Sequence, residues 1–300
     1  MNPSQLIIPS DLIIRIMGAK RPADLFTNLS DWKKEYLSWL HLIHVDRCKL
    51  ADAPEAYLKL QRFRDELENG ITWNDEHCKL SLKGGNLVII EGPEAVLKTS
   101  YTNYQAIVKS KGVPDHFVRY LPKSMELKDG KLNVELWHRS ILMHDLTLEE
   151  KHVKWVMNRM LECSAIMNVA AGWTHCGLNP NSVLICPEEH GIQIISFYHS
   201  VQSNHPLKSV IGKHPIKTWY PPTIFSTKRA SSAIDLSLSK KTGIYLLGDR
   251  SGLGTSLRGK IDNGLLNFLL ANNNTTIQEA YIAYQTFLDK SPREYHKLNL

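Results

Sequence analysis

Apolar residues in the first 70 positions recur at helical spacing. In LSDWKKEYLSWLHLIH, Trp32, Tyr36, Leu37, Leu40 and Ile43 fall towards one face, and Ser30 and Asp31 stand where an N-cap is expected. APEAYLKLQRFRDELENG repeats the pattern with Ala56, Leu60, Phe63 and Leu67; it opens near Pro54 and stops at Asn69-Gly70. The short link VDRCKLAD predicts an antiparallel helix pair. From Ile71 the pattern shortens to β-type runs, KLSLKGGNLVII and EAVLKTSY, with Gly84-Gly85-Asn86 as a turn, so a domain boundary is expected near residue 70. GKLNVELWHRS adds a strand. TLEEKHVKWVMNRMLECSAIMNVAAG then reads as a long helix burying Val153, Val156, Met160, Leu161 and Ile166 to Val169. Two short strands, SVLIC and IQIIS, flank the turn PEEHG, and three further helices follow in ASSAIDLSLSKKTGIYLL, SLRGKIDNGLLNFLLA and TIQEAYIAYQTFLDK. The class is α+β: a helical domain over 1–70, then a domain over 71–300 with a β-rich part to about 145 and a helical part from about 146.

Composition narrows the setting. No apolar run is long enough to span a bilayer, since LIIPSDLIIRIM is broken by Asp11 and Arg15. The amino terminus lacks the pattern of a secretory signal, and Cys48, Cys78, Cys163, Cys176 and Cys186 are scattered and odd in number. A reducing, cytoplasmic setting without disulfides or membrane anchorage is expected. The charge of +6 is uneven, with 13 Lys+Arg against 6 Asp+Glu in residues 201–300. No aromatic residues interleave with those cations, so a solvated face is expected and a nucleic-acid partner is not.

The order of small sheet, long helix, hairpin and helices, together with HCGLNPNSVLICPEEHGIQIISFYHS, resembles the protein-kinase fold. On that resemblance His175, Cys176, Gly177, Asn179 and Ser182 occupy the catalytic loop, and Ser196-Phe197-Tyr198 occupies the metal-binding Asp-Phe-Gly motif. Gly177 then brings no carboxylate to accept a substrate proton, and Ser182 and Ser196 offer only neutral oxygens to a divalent cation. Cys176 stands where an Arg reads a phosphorylated loop. EAVLK resembles the strand carrying the phosphate-binding lysine, making Lys98 the candidate nucleotide contact; no acidic residue follows it before Asp115, and Gln105 is the nearest polar substitute. No Gly-x-Gly-x-x-Gly precedes it, which implies a reduced N-lobe. WYPPT resembles the Ala-Pro-Glu segment with Thr223 for Glu, and NNNTTIQEA stands where that Glu's Arg is expected. Asp235 matches the helix Asp that holds the catalytic-loop backbone.

The hairpin is also similar to bacterial and phage proteins in which a J-like domain is fused to a kinase-like domain. A J-domain is a helical hairpin with His-Pro-Asp at its turn and a basic helix before it. Here HVDR at 44–47 lies between the two predicted helices, Val45 replacing the proline. The resemblance implies partner contacts at Lys33, Lys34, His44, Asp46 and Arg47.

Two other motifs are set aside. His175, Cys176, Cys186 and His190 have the wrong spacing for a Cys₂His₂ zinc site, and GTSLRGKI lacks the Ser/Thr that completes a P-loop. The expectation is a pseudokinase: a protein without enzymatic activity that binds a chaperone, kinase or other cytoplasmic protein, with no metal and no cofactor beyond a possible ATP. Residual phosphotransfer or nucleotide binding is the alternative, and J-type co-chaperone action the third.

Overall fold

The computed structural model describes residues 8–19, 22–27, 32–272, 276–289 and 298. The chain divides into two compact units, the first ending at Thr72 and the second beginning at Trp73. The expected N-caps Ser30 and Asp31 lie outside the described residues.

The first unit is helical: α1 (Pro9–Gly18), α2 (Pro22–Leu25), α3 (Trp32–Ile43) and α4 (Ala53–Asn69). Proline opens α1 and α4, where a missing N–H costs nothing, and Gly70 at φ 81° ends α4 with its N–H on the Glu66 carbonyl. Trp32, Tyr36, Trp39 and Ile43 of α3 pack against Ala53, Ala56, Leu60 and Phe63 of α4 and Leu12 and Ile16 of α1. Phe26 stacks on Trp39 at 5.2 Å between centroids. The buried face of α3 is therefore rotated from the expected one: Leu37 is 63% exposed and Trp39 takes its place.

Strand β1 (Ile71–Asn74), which spans the division, and β2 (Lys79–Lys83), β3 (Leu87–Glu91), β4 (Ser124–Lys128) and β5 (Lys131–Glu135) form one sheet in the order β1-β2-β3-β5-β4. Antiparallel registers place Leu80 opposite Ile90 and Leu82 opposite Val88, then Val88 opposite Val134 and Ile90 opposite Leu132. All six are buried, so one face of the sheet is apolar. Between β3 and β4 runs α5 (Glu94–Val108), packed on β4 and β5. The strand expected at EAVLK is the first turn and more of this helix. Pro93 precedes it, Glu94 sits in the first turn, and Leu97, Tyr104 and Ile107 are buried at helical spacing, which outweighs the β-type residues in the run.

Then come β6 (Ile141–Leu142), α6 (Glu150–Val169), β7 (Trp173–Thr174), β8 (Val183–Cys186), β9 (Gly191–Ile194), β10 (Val201–Gln202), α7 (Thr223–Thr227), α8 (Ser232–Leu246), α9 (Asn263–Leu270) and α10 (Ile277–Leu288). Helix α6 is the axis of this part. It buries Val153, Val156, Met157, Met160, Leu161 and Cys163 against α8 and α10. Strands β8 and β9 form the expected hairpin, joined by β6. No described helix is long and apolar enough to cross a membrane.

Candidate functional site

The loop before the hairpin is fixed from below by Asp235. The residue lies in the first turn of α8 and is fully buried; one carboxylate oxygen accepts the N–H of His175 and the other that of Cys176, both at 2.8 Å. Burial raises its pKa to about 7 against the opposing pull of these two donors. Cys176 has φ 60°, a left-handed conformation that an L residue adopts only under constraint. The constraint is double, because Tyr220 Oη also donates to the Cys176 carbonyl at 2.7 Å.

His175 is a fixed neutral imidazole. Nε2–H donates to the Ser196 carbonyl at 2.7 Å while Nδ1 accepts the Gly177 N–H at 3.2 Å, and burial lowers the pKa to about 4. Further along, Asn179 Nδ2 and Ser182 Oγ both donate to the Gly177 carbonyl at 2.7 Å, and Asn179 Oδ1 accepts from Asn181 N. Residues 175, 177, 179, 182 and 196 are therefore brought together, and most of their polar atoms are spent on one another. Gly177 has no room for a side chain without adjustment: a β-carbon there would stand 3.0 Å from Cδ2 of His199. Burial, with neighbouring histidines, lowers the pKa of His199 to about 3.

The space left in this cleft is about 20 Å³, lined by Asp75, Glu76, His175, Asn179, Ser196, His199 and others. That holds one water or ion, far below the roughly 300 Å³ or more of a typical small-molecule site. The turn between β1 and β2 fills the rest. Asp75 Oδ1 accepts the N–H groups of His77 and Cys78, and Glu76 Oε1 accepts Gly212 N–H at 2.7 Å.

Lys98 lies elsewhere. On α5 its side chain is 62% exposed and pairs with Glu94 at 2.6 Å, so the strand position that made it a phosphate contact is absent. Nor does Gln105 make the substitute link. Ser100 and Asn103, both buried, tie α5 to residues 197–200: Phe197 N–H donates to Ser100 Oγ at 2.9 Å, and Asn103 Nδ2 donates to the carbonyls of Phe197 and Ser200. Thr223 begins α7, and its carbonyl accepts from Ser226 and Thr227 side chains.

In the helical unit, His44, Asp46 and Arg47 lie in the turn after α3, with His44 Nδ1 3.4 Å from the Asp46 carboxylate and Arg47 bonded to His41. Lys33 and Lys34 are on α3, Lys33 pairing with Glu68 at 3.5 Å. Sequence reasoning missed Glu76, His77, Ser100, Asn103, His199 and Tyr220. A signal existed for the first two: three consecutive chemistry-bearing residues, Asp75-Glu76-His77, between two short strands.

No protein-family model and no curated protein matches the chain. Among solved structures it is similar to the kinase PK-1 of Cydia pomonella granulovirus, at 9% identity over 76% of this chain and 97% of that one, with a TM-score of 0.48. It is also similar to the PknI kinase domain of Mycobacterium tuberculosis, at 15% identity over 73% and 94%, with a TM-score of 0.46. Both similar structures are kinases, which corrects the expectation of a protein without enzymatic activity.

Proposed function

We propose that the chain is a kinase-like module that engages a protein partner through the surface around Trp137. The observation that carries this is a large indole held in the open: Trp137 is 44% exposed, its Nε1–H bonded to the Val118 carbonyl, beside a Val118 that is itself 46% exposed. Fixed exposed aromatics are what anchors of protein interfaces are made of, because little side-chain entropy remains to be lost on binding. Arg119 and His138, the chain neighbours of Val118 and Trp137, line a cavity of about 280 Å³ with His116, Arg159 and Glu162, a polar border to the exposed pair. A chaperone or a kinase of the same compartment is the partner class that the resemblance suggests, and the turn His44–Arg47 is a second candidate contact. The test is a photo-crosslinker placed at Arg119 of the full chain in its native cytoplasm. A discrete adduct that disappears in Trp137→Ala is expected; no adduct, or one indifferent to Trp137, overturns the reading.

A second reading, ATP-dependent phosphotransfer through a rearranged cleft, is favoured by Asp75 and Glu76, which bring two carboxylates to the cavity wall near the carboxylate-free positions 177, 182 and 196. Thermal-shift titration with ATP and magnesium, with labelled-phosphate transfer as second readout, decides it. Saturable binding lost in Asp75→Asn supports it, and no shift with no transfer removes it.

A further inference from the structure

The β1–β2 turn and the segment after β9 bring three metal-ligating side chains to one point. Glu76, His77 and His199 each offer a donor atom, all within 4.8 Å of one another, and no other such group of three exists among the described residues. We propose that these three residues form a binding site for a first-row divalent transition ion of the zinc class.

Four observations converge. Glu76 Oε1 is fixed by the Gly212 N–H, whereas Oε2 is buried with no hydrogen-bond partner. An anionic oxygen shut away without a donor is costly unless a cation meets it. His77 Nε2 faces it at 3.5 Å, close to the roughly 3.3 Å between donors that bonds of about 2.0–2.1 Å impose in a tetrahedral site. On the third ligand, His199 Nδ1 is bonded to Ser209 Oγ at 3.1 Å, which leaves Nε2 to carry the lone pair, the usual outer support of a metal-bound histidine. Finally, the cavity of about 20 Å³ touches both Glu76 and His199 and has the size of one ion or water.

The geometry is preorganised on two sides. Asp75 caps the turn through His77 N–H and Cys78 N–H, and the bare Gly177 makes the space that the His199 ring fills. His77 is the exposed member of the three. Two imidazoles and one carboxylate suit zinc, cobalt or nickel and are a poor set for magnesium, which prefers oxygen. Three protein ligands leave a fourth position for water. Lys213, exposed, is the cation at the cavity rim.

Metal-free full-length protein titrated with Zn²⁺ against a chromophoric chelator should take up one equivalent, undisturbed by excess Mg²⁺. Glu76→Gln and His77→Ala, the first nearly isosteric and the second at an exposed position, should each weaken binding at least about 10-fold with an unchanged circular dichroism spectrum, and Ser209→Ala by about 10-fold. Co²⁺ should give a tetrahedral visible spectrum without thiolate charge-transfer bands. The proposal is overturned if the wild type takes up no stoichiometric Zn²⁺, if Glu76→Gln and His77→Ala bind as tightly as wild type, or if thiolate bands place the metal on cysteine.

Discussion

Asp235 is the residue whose replacement reports most directly on the loop it holds. Asp235→Ala strands the N–H groups of His175 and Cys176, both buried. Hydrogen bonds to a charged acceptor contribute about 1.5–3 kcal/mol each, so two amount to about 3–6 kcal/mol. Against this stands the cost of keeping the carboxylate in a dry site. With a folded pKa near 7 and an ordinary value of 3.8, that cost is about 4 kcal/mol at pH 7. That cost is already net of the two amide donors, which pull the pKa down against the effect of burial. A raised acid pKa means that the folded state binds more protons than the unfolded one between about pH 4 and 7, so the wild type loses stability as pH rises through that window. From pH 5 to 7 the loss is about 2 kcal/mol, and Asp235→Asn, which keeps one acceptor and does not ionise, escapes it. Urea unfolding of both proteins at pH 5, 6 and 7 should therefore show the wild type's advantage over the Asn variant shrinking by about 2 kcal/mol as pH rises. Hydrogen exchange of a peptide covering 173–182 localises the effect, with faster exchange at His175 and Cys176 in the Ala variant. An advantage independent of pH would show the carboxylate to be ionised throughout and would refute the reasoning.

Three further outcomes follow from the same geometry. His175, lowered to about 4 from 6.5, contributes stability that is present above pH 6.5 and lost as pH falls towards 4, about 3 kcal/mol in all, and its ring resonances should show no protonation until below pH 5. Asn103→Ala removes both donors from the Phe197 and Ser200 carbonyls and should cost about 2 kcal/mol by thermal unfolding, against a smaller loss for Ser100→Ala, which strands one N–H. Gly252→Ala should cost more than either, because its φ is +74° and a β-carbon there would stand 2.5 Å from Trp219 Nε1; an unchanged melting temperature would refute the packing.

What the sequence disclosed depended on whether the controlling contacts were local. The helix pair of the first unit was legible because Tyr36, Ile43, Leu60 and Phe63 repeat at 3.6-residue spacing, yet the face slipped from Leu37 to Trp39 since a stripe one residue wider reads almost the same. EAVLKTSY was misread for the opposite reason: its Val, Thr and Tyr have β character, and only Pro93, Glu94 and the Glu94–Lys98 pair mark a helix start. Strand β4, SMELK, is too short and too charged to announce itself. At the site, His175, Gly177, Asn179, Ser182 and Asp235 were singled out by the kinase resemblance of their segments, and their hydrogen bonds to one another are mostly short in sequence, Asp235 apart. Glu76 with Gly212, or Asn103 with Ser200, joins residues about a hundred positions apart, and no local pattern encodes such contacts.

The loop over residues 175–182 keeps its shape through a network of mutually dependent contacts. Asp235 holds two amides, Tyr220 holds the carbonyl between them, His175 bridges to Ser196, and Asn179 and Ser182 converge on the Gly177 carbonyl. Each of these groups is buried, so removing any one strands a partner at about 1–3 kcal/mol. Side chains at 177 and 196 stand outside that mutual dependence, since only backbone atoms of Gly177 and Ser196 take part. The Ser196 side chain can change without touching the frame, whereas a side chain at Gly177 would meet the His199 ring at 3.0 Å and changing Asp235 or Tyr220 dismantles it. The bare position 177 is thus what lets the His199 ring lie beside the turn that brings Asp75 and Glu76 to the cavity wall.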